Sequence, residues 1–121
     1  MTAAMERIAY REAFRASIPE VVSYLQDLFG GRLTAVIADV PDASVVGQWA
    51  RGDGEPQRET EQTLRAAYQV ARLLRQSESE QSVQSWFMGM NPYLDDRAPA
   101  LAIGQDSLAV LQAARALLVS G

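Results

Sequence analysis

The sequence predicts an all-α fold, a small helical bundle, and three observations carry that prediction. Apolar residues recur at spacings of three and four in segment after segment. No segment alternates apolar and polar residues with the period of two that a strand needs. Strong breakers separate the periodic stretches: Gly30-Gly31, Pro41-Asp42, Gly52-Asp53-Gly54-Glu55-Pro56, Ser77-Glu78-Ser79 and Gly89-Met90-Asn91-Pro92.

The elements follow in order. Residues 3–18 read as a helix with Tyr10, Ala13, Phe14 and Ile18 on its apolar face. Arg7, Arg11 and Arg15 form a basic stripe at i, i+4 and i+8. The stripe reads either as a solvated face or as a contact with phosphates or an acidic partner. Pro19 and Glu20 open a second helix, because proline suits a first turn. Its apolar face is Val22, Leu25, Leu28 and Phe29, and Gly30-Gly31 ends it. Leu33, Val36, Ile37 and Val40 repeat at helical spacing and predict a short third helix, broken at Pro41-Asp42. Asp42 is placed to cap a fourth, Ala43 to Arg51, with Val46 and Trp49 inward. A long helix from Gln57 to Gln76 follows, striped by Leu64, Ala67, Tyr68, Ala71 and Leu74. Ser79 caps another that runs to Met88. Asn91-Pro92 forces a turn that returns Leu94 to the core and leaves Asp95, Asp96 and Arg97 as a charged tip, with Trp86 anchoring the corner. A short helix spans Pro99 to Ile103. The last runs from Ser107 to Val119 with Leu108, Leu111, Ala114 and Leu118 on one face.

Composition narrows function. With 121 residues and 48% hydrophobic content, the chain suffices for one domain or two small units sharing a core. Cysteine and histidine are absent, which removes disulfides, thiolate and imidazole metal ligands, and the commonest general base near neutrality. All 11 basic residues are arginines, so there is no Schiff-base or P-loop lysine. The acidic residues have structural explanations. Asp95 and Asp96 lie in a turn, while Glu55, Glu59 and Glu61 surround a helix start where the macrodipole favours them. The expectation is a binding protein without cofactor or metal and not an enzyme. It is expected to be cytoplasmic, because the N-terminal stretch lacks an apolar signal core and no run is long and apolar enough to span a membrane. A net charge of −4 means that any nucleic-acid contact must be local or built from several copies, and an acidic binder of a basic protein fits equally well.

Two segments resemble known motifs. Leu33 to Gly52 carries a Val and a Trp three residues apart, Val46 and Trp49, followed by Arg51-Gly52 and Pro56. It resembles an Xre-type helix-turn-helix, although Val40 stands where the turn usually has glycine, and Asp39, Asp42, Asp53 and Glu55 surround the second helix. The resemblance implies that Ser44, Val45 and Gln48 face DNA bases and that Arg32, Arg51 and Arg58 meet phosphates.

The second segment has Trp86, then Asn91-Pro92-Tyr93-Leu94, Asp95-Asp96-Arg97, Pro99, Gly104 and a final helix with Val110-Leu111-Gln112-Ala113-Ala114-Arg115. It resembles the Xre/MbcA/ParS toxin-binding domain of antitoxins from Trp86 to Gly121. On this resemblance, 1–18 is an N-terminal helix, 19–76 the helix-turn-helix-like region and 77–121 the toxin-binding unit. The implied function is a type II antitoxin that neutralises a RES-domain, NAD-degrading toxin, autoregulates its operon and forms homo-oligomers. Toxin contact falls to Asn91, Pro92, Tyr93, Arg97 and Arg115, and to the tail Leu117, Leu118, Val119, Ser120 and Gly121. The competing reading is a stand-alone helix-turn-helix regulator whose C-terminal unit only mediates oligomerisation.

Overall fold

A computed structural model describes residues 3–120. Its helices are α1 (Ala3–Arg15), α2 (Ile18–Ala38), α3 (Ala43–Ala50), α4 (Arg58–Arg75), α5 (Glu80–Met88), α6 (Pro99–Ala102) and α7 (Ser107–Ser120), with a 3-10 turn at Pro92–Leu94. Among the described residues there is no strand, only an isolated antiparallel bridge between Asn91 and Arg97. The all-α expectation is met. No helix among these residues is long and apolar enough to cross a membrane.

Caps set the boundaries. The Ser17 hydroxyl accepts the Glu20 N–H at 3.2 Å, and Pro19 sits in the first turn, so α2 begins at Ile18. Ser79 accepts the Ser82 N–H at 3.1 Å, and Asp106 accepts the Ala109 N–H at 3.0 Å. Gly30, at φ 83° and ψ 164°, interrupts α2 with a backbone that side-chain-bearing residues rarely adopt. The chain therefore runs as two helical pieces across the break expected at Gly30-Gly31.

The fourth long stretch is the pillar. α4 packs against α1, α2, α5 and α7. Its buried residues include Val70 and Leu73 besides the expected Leu64, Ala67, Tyr68, Ala71 and Leu74. Apolar side chains over so wide an arc belong to a helix covered on several sides. One core runs from Ala13 through Leu25, Leu64 and Phe87 to Ala114, crossing all three sequence segments.

Four inward assignments are corrected. Tyr10 and Phe14 are 61% and 76% exposed, and α1 buries the expected Ala13 together with Ala9. Small side chains let α1 lie close on α4, which turns the aromatics outward. Val36 faces solvent because the second piece of α2 buries Thr34, Ala35, Ile37 and Ala38. Leu108 is exposed, while α7 buries Val110, Ala113 and Ala114. At the C-terminal corner the fully buried anchor is Phe87. Trp86 is half-buried and meets the Phe87 ring edge-on at 5.3 Å.

Candidate functional site

The second piece of α2, residues 31–38, and α3 form the helix pair. Their approach is close: a Cβ built on Gly31 would lie 3.5 Å from that of Ala43. The turn between them is a Schellman-type cap. The Val40 N–H reaches the Ala35 carbonyl at 3.0 Å, and the Asp39 N–H reaches that of Val36 at 3.1 Å. The left-handed residue is Asp39, at φ 56°, not Val40. The missing turn glycine is thereby accounted for, because aspartate tolerates this conformation and Val40 follows it with its side chain half-buried.

Asp42 caps α3, its carboxylate accepting the Ser44 N–H at 2.9 Å. Hydrogen bonds from the Ser44 backbone and then its side chain hold the carboxyl below the usual aspartate range. Val46 and Trp49 are buried as expected. This turns Ser44, Gln48 and Arg51 outward along one stripe at i, i+4 and i+7, with half-buried Val45 beside it. Arg51 folds back over Gly47 and pairs with Asp53 at 3.6 Å, both side chains exposed. Such a pair is weak and yields to a stronger anion. Arg32, in the turn after Gly30, and Arg58, the first residue of α4, are exposed. Neither has an ion-pair partner among the described residues.

The second candidate surface is the corner after α5. Asn91, only 7% exposed, organises it. Its side-chain oxygen accepts the Tyr93 N–H at 2.9 Å, its N–H donates to the Arg97 carbonyl at 3.2 Å, and its carbonyl accepts from Leu94 and Asp96 at 2.9 Å each. Asp95 and Asp96 are both left-handed, at φ 54° and 63°. Leu94 is buried, whereas Pro92 and Tyr93 project outward. Arg97 donates to the Leu94 carbonyl at 3.4 Å and to the Gln105 side chain. Asn91 and Arg97 thus brace the loop, and Tyr93 and Pro92 are what it displays.

The remaining expected residues spread along α7. Arg115 pairs with Glu6 of α1. Leu117 lies in a shallow groove beside Trp86, Ser82 and Ser85. Leu118 is half-buried, Val119 is 78% exposed, and the exposed Ser120 donates its hydroxyl to the Leu117 carbonyl at 3.2 Å. Gly121 lies outside the described residues. Gln105, which holds Arg97, precedes α7, and Leu117 lies some 15 Å further along the helix at 1.5 Å per residue. The structure therefore divides these residues into a braced corner, an α1-facing arginine and a last turn in which Leu117 and Leu118 pack on the core while Val119 and Ser120 face outward. Sequence reasoning passed over Met88 and Met90, both exposed beside the corner. The signal was Met88-Gly89-Met90 directly ahead of Asn91-Pro92.

Titratable side chains converge between α1, α2 and α4. The Arg72 guanidinium lies 5.4 Å from the Tyr24 ring centre and 5.7 Å from that of Tyr68, and pairs with Glu12. Burial pushes both phenols above their ordinary value, opposed by the charge of Arg72. The cluster bolts α1 to the core. Among the described residues no three Asp or Glu side chains converge into a metal cage.

No family model, curated protein or solved structure matches the chain.

Proposed function

We propose that the chain is a type II antitoxin that binds a RES-domain, NAD-degrading toxin through its C-terminal unit and is itself not an enzyme. The observation that carries this reading is where apolar surface is left uncovered. Of the ten large apolar side chains exposed among the described residues, six fall between Met88 and Val119. Single exposed apolar residues are ordinary, but this unit displays Met88, Met90 and Tyr93 around a braced turn and Val119 on a helix end. Methionine and tyrosine are typical of the apolar centre of a protein interface. The order Trp, Asn-Pro-x-Leu, charged turn, Pro and final helix supplies the link to this toxin class.

The test is co-expression with the product of the adjacent reading frame. The expected result is a RES-domain protein that co-purifies with the full chain, and toxicity that returns when residues 117–121 are deleted. Full protection by the truncated chain would count against toxin contact through the tail.

A second reading, operator binding by α3, rests on the outward stripe of Ser44, Gln48 and Arg51. It predicts a mobility shift on the chain's own promoter that weakens with salt and disappears when Gln48 and Arg51 are both alanine. Binding that survives those changes would move the contact away from α3.

A further inference from the structure

We propose that the outer face of α1, with the adjoining flank of α7, is a docking groove for an acidic amphipathic helix of another protein. The proposal stands apart from the antitoxin reading except at Arg115, which that reading gives to the toxin and which here lines the groove while paired with Glu6; none of the α3 stripe, the braced corner or the α7 tail takes part.

The groove encloses about 760 Å³ between α1, Gln69 of α4 and Leu111 and Arg115 of α7. Its apolar part is Tyr10, Phe14 and Leu111. Phe14 at 76% exposure is far more open than a structural role on a packed helix requires. Arg7, Arg11 and Arg15 border these aromatics. All three are exposed, and none has an ion-pair partner among the described residues. The helix's small residues already supply its packing on α4, so neither the aromatics nor the arginines are needed there.

Charge and spacing choose the occupant. Successive arginines are four residues apart, about 6 Å along the axis, which is the spacing of carboxylates one turn apart on a facing helix. Aromatic rings among arginines suit an amphipathic helix that brings apolar side chains to the floor and acids to the rim. A second copy of this face is disfavoured, because it would set arginine against arginine. The acid within the groove, Glu6, is already taken by Arg115. A nucleic-acid strand would use Phe14 only by base stacking and would bring no aliphatic counterpart to Leu111 on the groove floor.

The experiment uses the full chain and a fluorescein-labelled synthetic helix with Leu and Phe on one face and Glu flanking it at four-residue spacing. Its counterpart carries Lys at every Glu. Fluorescence anisotropy is expected to show saturable binding of the acidic peptide, weakened by salt. Binding should be at least about tenfold weaker for the Arg7→Gln/Arg11→Gln/Arg15→Gln variant and for Phe14→Ser. Both variants change exposed side chains, and circular dichroism melting checks that they stay folded. The proposal is overturned if the acidic peptide does not bind, if the Lys counterpart binds equally well, or if either variant binds like the parent. It is also overturned if a labelled single-stranded oligonucleotide binds and loses affinity in the arginine variant. A dimer in light scattering that Phe14→Ser converts to monomer would reassign the face to self-association.

Discussion

Arg65 is expected to hold α1 on the bundle, and its replacement by methionine measures how strongly. One guanidinium nitrogen donates to the Ala13 carbonyl in the last turn of α1 and to the Ala16 carbonyl just past its end, at 2.9 and 2.6 Å. Its Nε meets Glu61 at 2.9 Å one turn back on α4. The two carbonyls have no onward helical partner, so a cation from a neighbouring helix serves as their cap. Methionine keeps the apolar stem and removes every donor. A hydrogen bond with a charged partner contributes about 1.5–3 kcal/mol. The side chain is 25% exposed, so water recovers part of that, and the Glu61 pair adds little. The net expected loss is about 2 kcal/mol, below the roughly 3 kcal/mol to which two such bonds sum at their weakest, because of that exposure. Urea denaturation should show a lower midpoint with unchanged slope. Hydrogen exchange should show α1 amides opening more readily than those of α4. A loss below about 0.5 kcal/mol, or exchange unchanged in α1, would refute the reasoning, because bonds of the net worth assumed cannot vanish unnoticed.

Other outcomes follow from the same structure. Phe87→Ala should cost about 3–5 kcal/mol, and Trp86→Ala clearly less, because only Phe87 is fully buried; equal losses in chemical denaturation would contradict that ranking. Gly30→Ala should destabilise by about 1–3 kcal/mol. A Cβ there meets nothing within 4 Å, so the loss reports backbone strain alone, and a neutral result would show that α2 does not need this break. The folded chain holds the Tyr24 and Tyr68 protons more tightly than the unfolded chain does, through burial. Stability should therefore fall as pH rises past the ordinary tyrosine value of about 10, and part of the tyrosine absorbance should titrate late. Coincident titration of all four tyrosines would remove the basis for that expectation.

The element boundaries were largely legible because caps and breakers are local chemistry. Ser79, Asp42 and Gly30-Gly31 act through bonds and dihedrals within a few residues. Which face turned inward was less legible wherever small residues do the packing. Size favours Tyr10 and Phe14 as core, yet Ala9 and Ala13 are what bring α1 close to α4. The same preference for large side chains misread Val36 and Leu108, and it favoured Trp86 over its neighbour Phe87. For the candidate site, the outward stripe on α3 followed directly from burying Val46 and Trp49. The internal partners did not follow: nothing local shows that Arg115 meets Glu6 across more than a hundred residues, or that Arg97 reaches Gln105. Asn91 looked like a display residue and serves instead to close its loop.

The antitoxin reading is tested most directly by NAD turnover. The protein encoded by the adjacent reading frame, proposed to be the RES-domain partner, is purified and incubated with NAD while the chain is titrated in. Consumption is expected to stop near stoichiometric addition, and Val119→Arg, which places a charge on the exposed last turn of α7, to restore it while the chain stays folded. NAD consumption unaffected by an excess of the parent chain would show that the chain does not neutralise this toxin.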